Sequence, residues 1–388
     1  MQNGVHDSLA CIGRRQKMTK MKIAIAGLLL ISGSAISAVG SCDVIGGGGQ
    51  YQDRLTPDNV AHYVTVRTFD ALKQAVDSNH PFIYVPGDVT ITVPNQPQAL
   101  RIKVGQTLFS NRGEKGSRGA LLQTPWLNDG LNQYPVYVVE AKARITGLRI
   151  EGPSGQPDTP NKTIGIQFLP GTDHIDIDNN EIYHWPWAGI SVKTSVDNKI
   201  HHNVIHDNIR TQLGYGVVVQ NGHAQADIYC NTFNANRHAI AGKGDDGEGY
   251  HAYNNLVLNG GARGAYHQFD MHKGAQGHGG KNIIINNNLF DYGRYGTSNR
   301  GSVYIRGVPT DGPVSVNDNL FTQPWTVGLQ TAVGGVPGSI PPVEEIKRHN
   351  RFSVAAHYSK DAAGFCVVSV AEHRMPVNCE SVASVLEK

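Results

Sequence analysis

The stretch Ile228-Tyr229-Cys230-Asn231-Thr232-Phe233 decides how this chain folds, because its ending recurs. An asparagine followed two residues later by an apolar side chain also appears as Asn180-Glu181-Ile182, Asn203-Val204-Ile205, Asn255-Leu256-Val257, Asn288-Leu289-Phe290 and Asn319-Leu320-Phe321. Along the whole series the steps are 23, 28, 24, 33 and 31 residues. Each asparagine closes a short β-rich run such as Ile175-Asp176-Ile177 or Ile283-Ile284-Ile285. A second short strand follows in each unit, at residues 189–193, 216–220, 239–243, 268–272 and 302–306. Short strands with irregular periods in the twenties and thirties predict a stacked parallel β-coil. A helical repeat would need apolar residues at i, i+3 and i+4, which these units lack, and a propeller needs about four strands per repeat. The asparagine is expected to take the left-handed conformation at a sharp turn, and to hydrogen-bond its amide along the coil axis.

The chain before the repeat fits the same picture. Residues 69, 72, 75 and 76 put apolar side chains on one face of a short helix that follows Thr68 as N-cap. Such a helix suits the open hydrophobic end of a coil. With the strand Pro81-Phe82-Ile83-Tyr84-Val85-Pro86-Gly87-Asp88, the run Leu148-Arg149-Ile150-Glu151 and the asparagine-ended units, the chain resembles the right-handed parallel β-helix (pectate-lyase-like) superfamily over residues 64–330. The resemblance implies an all-β, right-handed, single-stranded parallel β-helix with an N-terminal capping helix. It also implies action on polysaccharide, by lyase, glycoside hydrolase, epimerase or esterase chemistry. No single family's catalytic signature is present, including the aspartate-based calcium site and paired arginine of pectate lyases, and fold alone does not fix function. Residues 42–63 read as a linker, and residues 331–388 as a C-terminal cap or appendage ending in a short helix.

Of 388 residues, 45 are Gly and 19 Pro, with 34 Lys and Arg against 32 Asp and Glu. So little charge with so much glycine excludes a coiled coil or a charged disordered tail. No run of 18 apolar residues occurs beyond residue 41, which excludes a multispanning membrane protein. Lys20 and Lys22 precede an apolar run at residues 23–31 and then small residues, so residues 1–41 read as an export signal. Val39-Gly40-Ser41-Cys42 resembles a lipobox that would make Cys42 a lipidated first residue; simple cleavage nearby is the alternative. The expected location is periplasmic, outer-membrane-associated or secreted, with membrane contact only through that lipid. Without residues 1–41 the balance is 29 basic against 31 acidic residues, which argues against general nucleic-acid binding. Cys366 and Cys379 are expected to pair, leaving Cys230 as a buried thiol. A monomer is the expected state.

Strand alternation places Ile190, Val217, Ile240, Phe269 and Val303 in the core, with Val192, Val219, Gly242, Met271 and Ile305 two residues on. One outward column then reads Ser191, Val218, Ala241, Asp270, Tyr304, and the next Lys193, Gln220, Lys243, His272, Arg306. Coils stack about 4.8 Å apart, so Lys243, His272 and Arg306 should form a basic ladder beside Asp270 and Tyr304. Arg237, His238, Tyr266, His267 and Arg300 sit at the starts of the same strands. Eleven of the 17 histidines fall between His174 and His278. An isolated histidine is ordinarily a satisfied surface or core residue. Stacked like charges, by contrast, cost stability that an anionic ligand relieves. Glycine-rich loops at residues 242–249 and 274–280 flank the strip as candidate walls. Trp185 and Trp187 read either as sugar platforms or as core fillers.

Three chemistries fit this set. Elimination on a uronic-acid polysaccharide needs a cation to neutralise the carboxylate, a base for the C5 proton and an acid for the leaving oxygen. Arg306, Lys243 or Arg237 can serve as the cation, His238, His267 or His272 as the base, and Tyr304 or Tyr266 as the acid. The same groups could carry out C5 epimerisation. Glycoside hydrolysis would pair Asp270 with Asp245, Asp246 or Glu248 from the loop. A metal is the third option. Either Ca2+ on Asp245, Asp246 and Glu248, whose spacing lacks the EF-hand pattern, or a divalent ion on His267, Asp270 and His272 with His238 would serve. The second set needs a bulge at the strand start. A non-catalytic carbohydrate binder would need no titratable cluster, so the set favours an enzyme. The reading is an exported lyase acting on an anionic polysaccharide, with no certain cofactor.

Overall fold

The computed structural model describes residues 42–126, 134–156, 158–258, 267–291 and 300–386. Each full coil contributes three strands, as in Asp176–Asp178, Glu181–Tyr183 and Ala188–Lys193. Equivalent strands stack in parallel into two ten-stranded sheets and one nine-stranded sheet. The nine-stranded sheet, called the site sheet below, includes Ala188–Lys193, Tyr215–Gln220, His238–Gly242, Phe269–Met271, Val303–Ile305 and Val333–Gly335. The sequence shows two strands per unit; the third is the segment carrying the apolar residue after each asparagine, such as Thr232–Asn234. Three residues are too few for alternation to register as a strand.

The core columns follow the expected register, with Ile190 against Val217, Val217 against Ile240, Ile240 against Phe269 and Phe269 against Val303. All five side chains are fully buried. Helix α1 (Phe69–Asp77) closes one end: Leu72, Ala75 and Val76 pack inward, and the Thr68 hydroxyl accepts from the Ala71 amide at 3.2 Å. Phe290, Phe321 and Phe352 stack with ring centroids 4.8 Å apart.

The asparagines form the expected axial ladder. Asn180 Nδ2 donates to Asn203 Oδ1, Asn203 to Asn231, Asn231 to Asn255, Asn255 to Asn288, Asn288 to Asn319 and Asn319 to Asn350, at 2.9–3.1 Å. Their conformation differs from expectation. The left-handed residue is the one before each ladder asparagine: Asn179, His202, Cys230, Asn254, Asn287 and Asp318 have φ of 53–58°. That residue turns the chain, so the next side chain points inward, where its amide meets buried backbone groups as well as its neighbour. Asn203 Oδ1, for instance, accepts from the Asn180 amide and Asn203 Nδ2 donates to Ile177 O.

The coil also runs past residue 330. Val333–Gly335 extends the site sheet and Arg351–Phe352 extends a ten-stranded one. Helix α2 (Val343–His349) lies between them, and three antiparallel strands and helix α3 (Cys379–Leu386) follow. Cys366 and Cys379 form the expected disulfide. Cys230 is not a free thiol: it is bonded to Cys42, 188 residues away. A sulfur in a disulfide cannot carry a thioether-linked lipid, so the lipidated reading of Cys42 is corrected. Residues 42–63 are not a loose linker either. Val44, Ile45, Tyr51 and Val60 are buried, and the Gly46 amide donates to Cys230 O at 2.9 Å.

Candidate functional site

The outer face of the site sheet carries the expected columns. Ser191 is in register with Val218, Val218 with Ala241, Ala241 with Asp270 and Asp270 with Tyr304. Asp270 is the hub. Its carboxylate accepts from Arg306 Nε at 2.8 Å and Nη2 at 2.6 Å, lies 3.3 Å from His272 Nε2 and 3.6 Å from His238 Nε2, and is fully buried. Burial alone would raise its pKa, but His272 and Arg306 outweigh that and hold it below the usual carboxylate range. The same bond to Asp270 raises the Arg306 guanidinium above its ordinary value.

The three histidines separate by environment. His238 is fully buried; its Nδ1 donates to His267 O at 2.5 Å, and burial pushes its pKa down to about 3. His267 is buried, stacks on Tyr304 with centroids 4.7 Å apart and is likewise lowered by burial. His272, with a third of its side chain exposed, lines a trough of about 320 Å³ together with Trp187, Lys193, Tyr215, Gln220 and Lys243. Lys243 Nζ sits 2.7 Å from Asp245, which raises its pKa. Arg237 is half-buried at the start of its strand and Arg300 is exposed. Tyr266 lies outside the described residues. Trp185 fills the core, its Nε1 donating to Ile150 O, whereas Trp187 belongs to the outer wall.

Sequence reasoning missed Tyr215. Its ring stacks on His238 (5.6 Å, 19°) and meets His272 (6.4 Å) and Trp187 (5.5 Å) edge-on. Strict alternation puts residue 215 inward with Val217 and Val219. The structure breaks alternation at the strand starts: Ala239 and Ile240 are consecutive core residues, so His238 and Ala241 both face out. Gly216 holds the same place one coil earlier, and a Cβ there would meet Ala239 O at 2.6 Å. The run of small residues Gly189, Gly216 and Ala239 was the available signal.

The loop carboxylates do not assemble. Asp245 pairs with Lys243, Asp246 with His278 at 2.7 Å, and Glu248 turns inward to accept from the Gly222, Gly244 and Asp245 amides. Burial outweighs these donors and raises Glu248 to about 7. Asp245 and Asp246 are thus each paired with a base, Glu248 with backbone amides, and none of the three is hydrogen-bonded to Asp270. Among the described residues, the group that brings three metal-capable atoms together is His238, Asp270 and His272, within 4.8 Å of one another. Two imidazoles and one carboxylate suit a transition metal rather than Ca2+, which takes six to eight oxygens, and Arg306 already occupies both carboxylate oxygens.

A family model described as the right-handed beta helix region matches residues 127–257 and 165–336, more than half the sequence. The chain belongs to the right-handed β-helix family. No curated protein matches this family member. Among solved structures it is similar to an alginate lyase from Paenibacillus sp. str. FPU-7 (16% identity, 76% of this chain and 98% of the other, TM-score 0.47). It is also similar to ORF18 of Geobacillus virus E2 (13%, 65% and 48%, TM-score 0.37) and to the Dettilon tailspike protein gp208 (10%, 81% and 73%, TM-score 0.28).

Proposed function

We propose that this β-helix protein is a polysaccharide lyase that cleaves a uronic-acid-containing chain by β-elimination in the trough beside His272. The observation that carries the reading is the pairing of the one-third-exposed His272 with the buried, ionised Asp270 at the end of a trough that also holds Lys193 and Lys243. Asp270 is a positioning residue: by accepting from Nε2 it fixes the tautomer with the lone pair on Nδ1, the base for the C5 proton. Lys193 and Lys243 draw in the substrate carboxylate and offset the charge that builds on it as the proton leaves. Burial raises the Tyr215 pKa, so the phenol stays protonated and serves as acid for the leaving oxygen. The bond from C4 to the glycosidic oxygen breaks as the C4–C5 double bond forms. The two disulfides support an exported protein in an oxidising compartment.

The test is an assay of purified protein on a panel of uronans and neutral glycans. Elimination creates an unsaturated uronic acid with ultraviolet absorbance; hydrolysis gives reducing ends without it. Reducing ends alone, or products only from neutral glycans, would overturn the proposal.

A further inference from the structure

Arg112 is one of the bulkiest fully buried side chains of the protein. Only one of its nitrogens is satisfied: Nη1 donates to Gly46 O at 3.1 Å and to Asn179 O and Oδ1 at 3.3 and 3.1 Å. Nε and Nη2 are buried and have no hydrogen-bond partner among the described residues. The nearest opposite charge, Glu380 Oε2, is 3.8 Å from Nη2, beyond hydrogen-bond length, and its other oxygen is 3.9 Å from Arg118 Nε. Glu380 itself is almost half exposed. Burial lowers the Arg112 pKa, and Glu380 and Glu181 oppose that only in part.

This guanidinium lines a cavity of about 230 Å³ between the N-terminal glycine run and the start of helix α3. Gly47, Gly48 and Gly113 are left-handed there. A Cβ on Gly113 would lie 2.3 Å from Gly48 C, and one on Gly48 would lie 2.4 Å from Asn378 Nδ2. Glycine therefore lets two backbone segments close on the cavity wall as side-chain-bearing residues would not. Asn378, Cys379 and Glu380, at the positive end of α3, line the opposite wall.

We propose that this cavity is an oxyanion site. A phosphate, sulfate or carboxylate group takes the Nε–Nη2 edge of Arg112 as the Glu380 carboxylate turns out into solvent. Planar two-donor recognition of an oxyanion is what this edge of arginine provides. Glu380 is a placeholder of the right charge at the wrong distance. The ligand would bind the N-terminal segment to α3, well apart in sequence from the trough, so the site is independent of the lyase reading.

Isothermal titration of the full chain with inorganic phosphate, sulfate and acetate, at ionic strength matched with chloride, tests the site and separates the oxyanion sources. The expected result is saturable binding of at least one of them, tightened roughly tenfold in Glu380→Gln, where the competing charge is gone. Glu380 is almost half exposed and makes no hydrogen bond through its carboxylate to Arg112, so folding is preserved in that variant. No saturable heat in either wild type or Glu380→Gln, or equal affinity in the two, would overturn the proposal.

Discussion

Two clusters on the outer wall of this β-helix share one chemistry and differ in their cover. In the trough, buried Asp270 takes two hydrogen bonds from Arg306 and has His272 beside it. On a ten-stranded sheet, buried Asp178 takes two from Arg144 at 2.7 Å, another from Thr146, and has His201 in register beside it. The second cluster is sealed. His201 Nδ1 lies 2.7 Å from His202 Nδ1, His202 Nε2 lies 2.9 Å from Asp43, and the Tyr51 ring covers His202 at 4.5 Å. Asp43 and Tyr51 come from the N-terminal segment that the Cys42–Cys230 disulfide holds in place. An Asp–Arg–His group is thus a fastening where the chain covers it and a candidate reactive site where it does not. Access, more than residue type, separates the two.

That contrast breaks most sharply at the histidines. His272→Ala is expected to lower turnover on a uronan by about 10²–10⁴-fold, while His201→Ala leaves turnover near wild type; equal losses in the two would erase the distinction. Next, Asp270→Asn and Asp178→Asn should each destabilise by about 3 kcal/mol, the low end for breaking a buried ion pair, since each arginine keeps some solvent. Denaturant unfolding measures this, and only the first variant should also lose activity. Replacing Cys42 and Cys230 together by Ser should cost about 2–5 kcal/mol. Because it loosens the sealing segment, it should also speed amide exchange at His201 and His202 but not at His272, read by exchange mass spectrometry.

The smallest effect involves a third histidine. Burial opposes protonation of His206, but Asp207 and Glu181 outweigh it and raise it to about 9. A raised histidine contributes stability that is complete below its unfolded pKa of about 6.5 and is lost as pH rises through about 9. A decline of a few degrees in Tm across that window, absent in His206→Gln, is the expected outcome of thermal unfolding followed against pH.

Much of this was legible before the fold was seen. Asn180, Asn203, Asn231, Asn255, Asn288 and Asn319 recur because a buried amide stack tolerates no substitute: its loss orphans buried partners at about 1–3 kcal/mol each. The columns through Asp270 and through His272 followed from alternation within a strand. Tyr215 did not, because the inward step at Gly216 and Ala239 breaks the two-residue period. The Cys42–Cys230 bond did not either, since 188 residues of chain separate its ends and cysteine spacing carries no information at that range.

The sequence by itself thus determined the coil, its core and the lateral order of the outer columns, because each depends on the side-chain period and on contacts one coil apart. Only the tertiary structure decided which histidine is exposed, where the loop carboxylates point, and that the N-terminal segment seals one charged cluster and leaves the other open. Those outcomes depend on desolvation and on contacts between distant parts of the chain, and local pattern fixes neither.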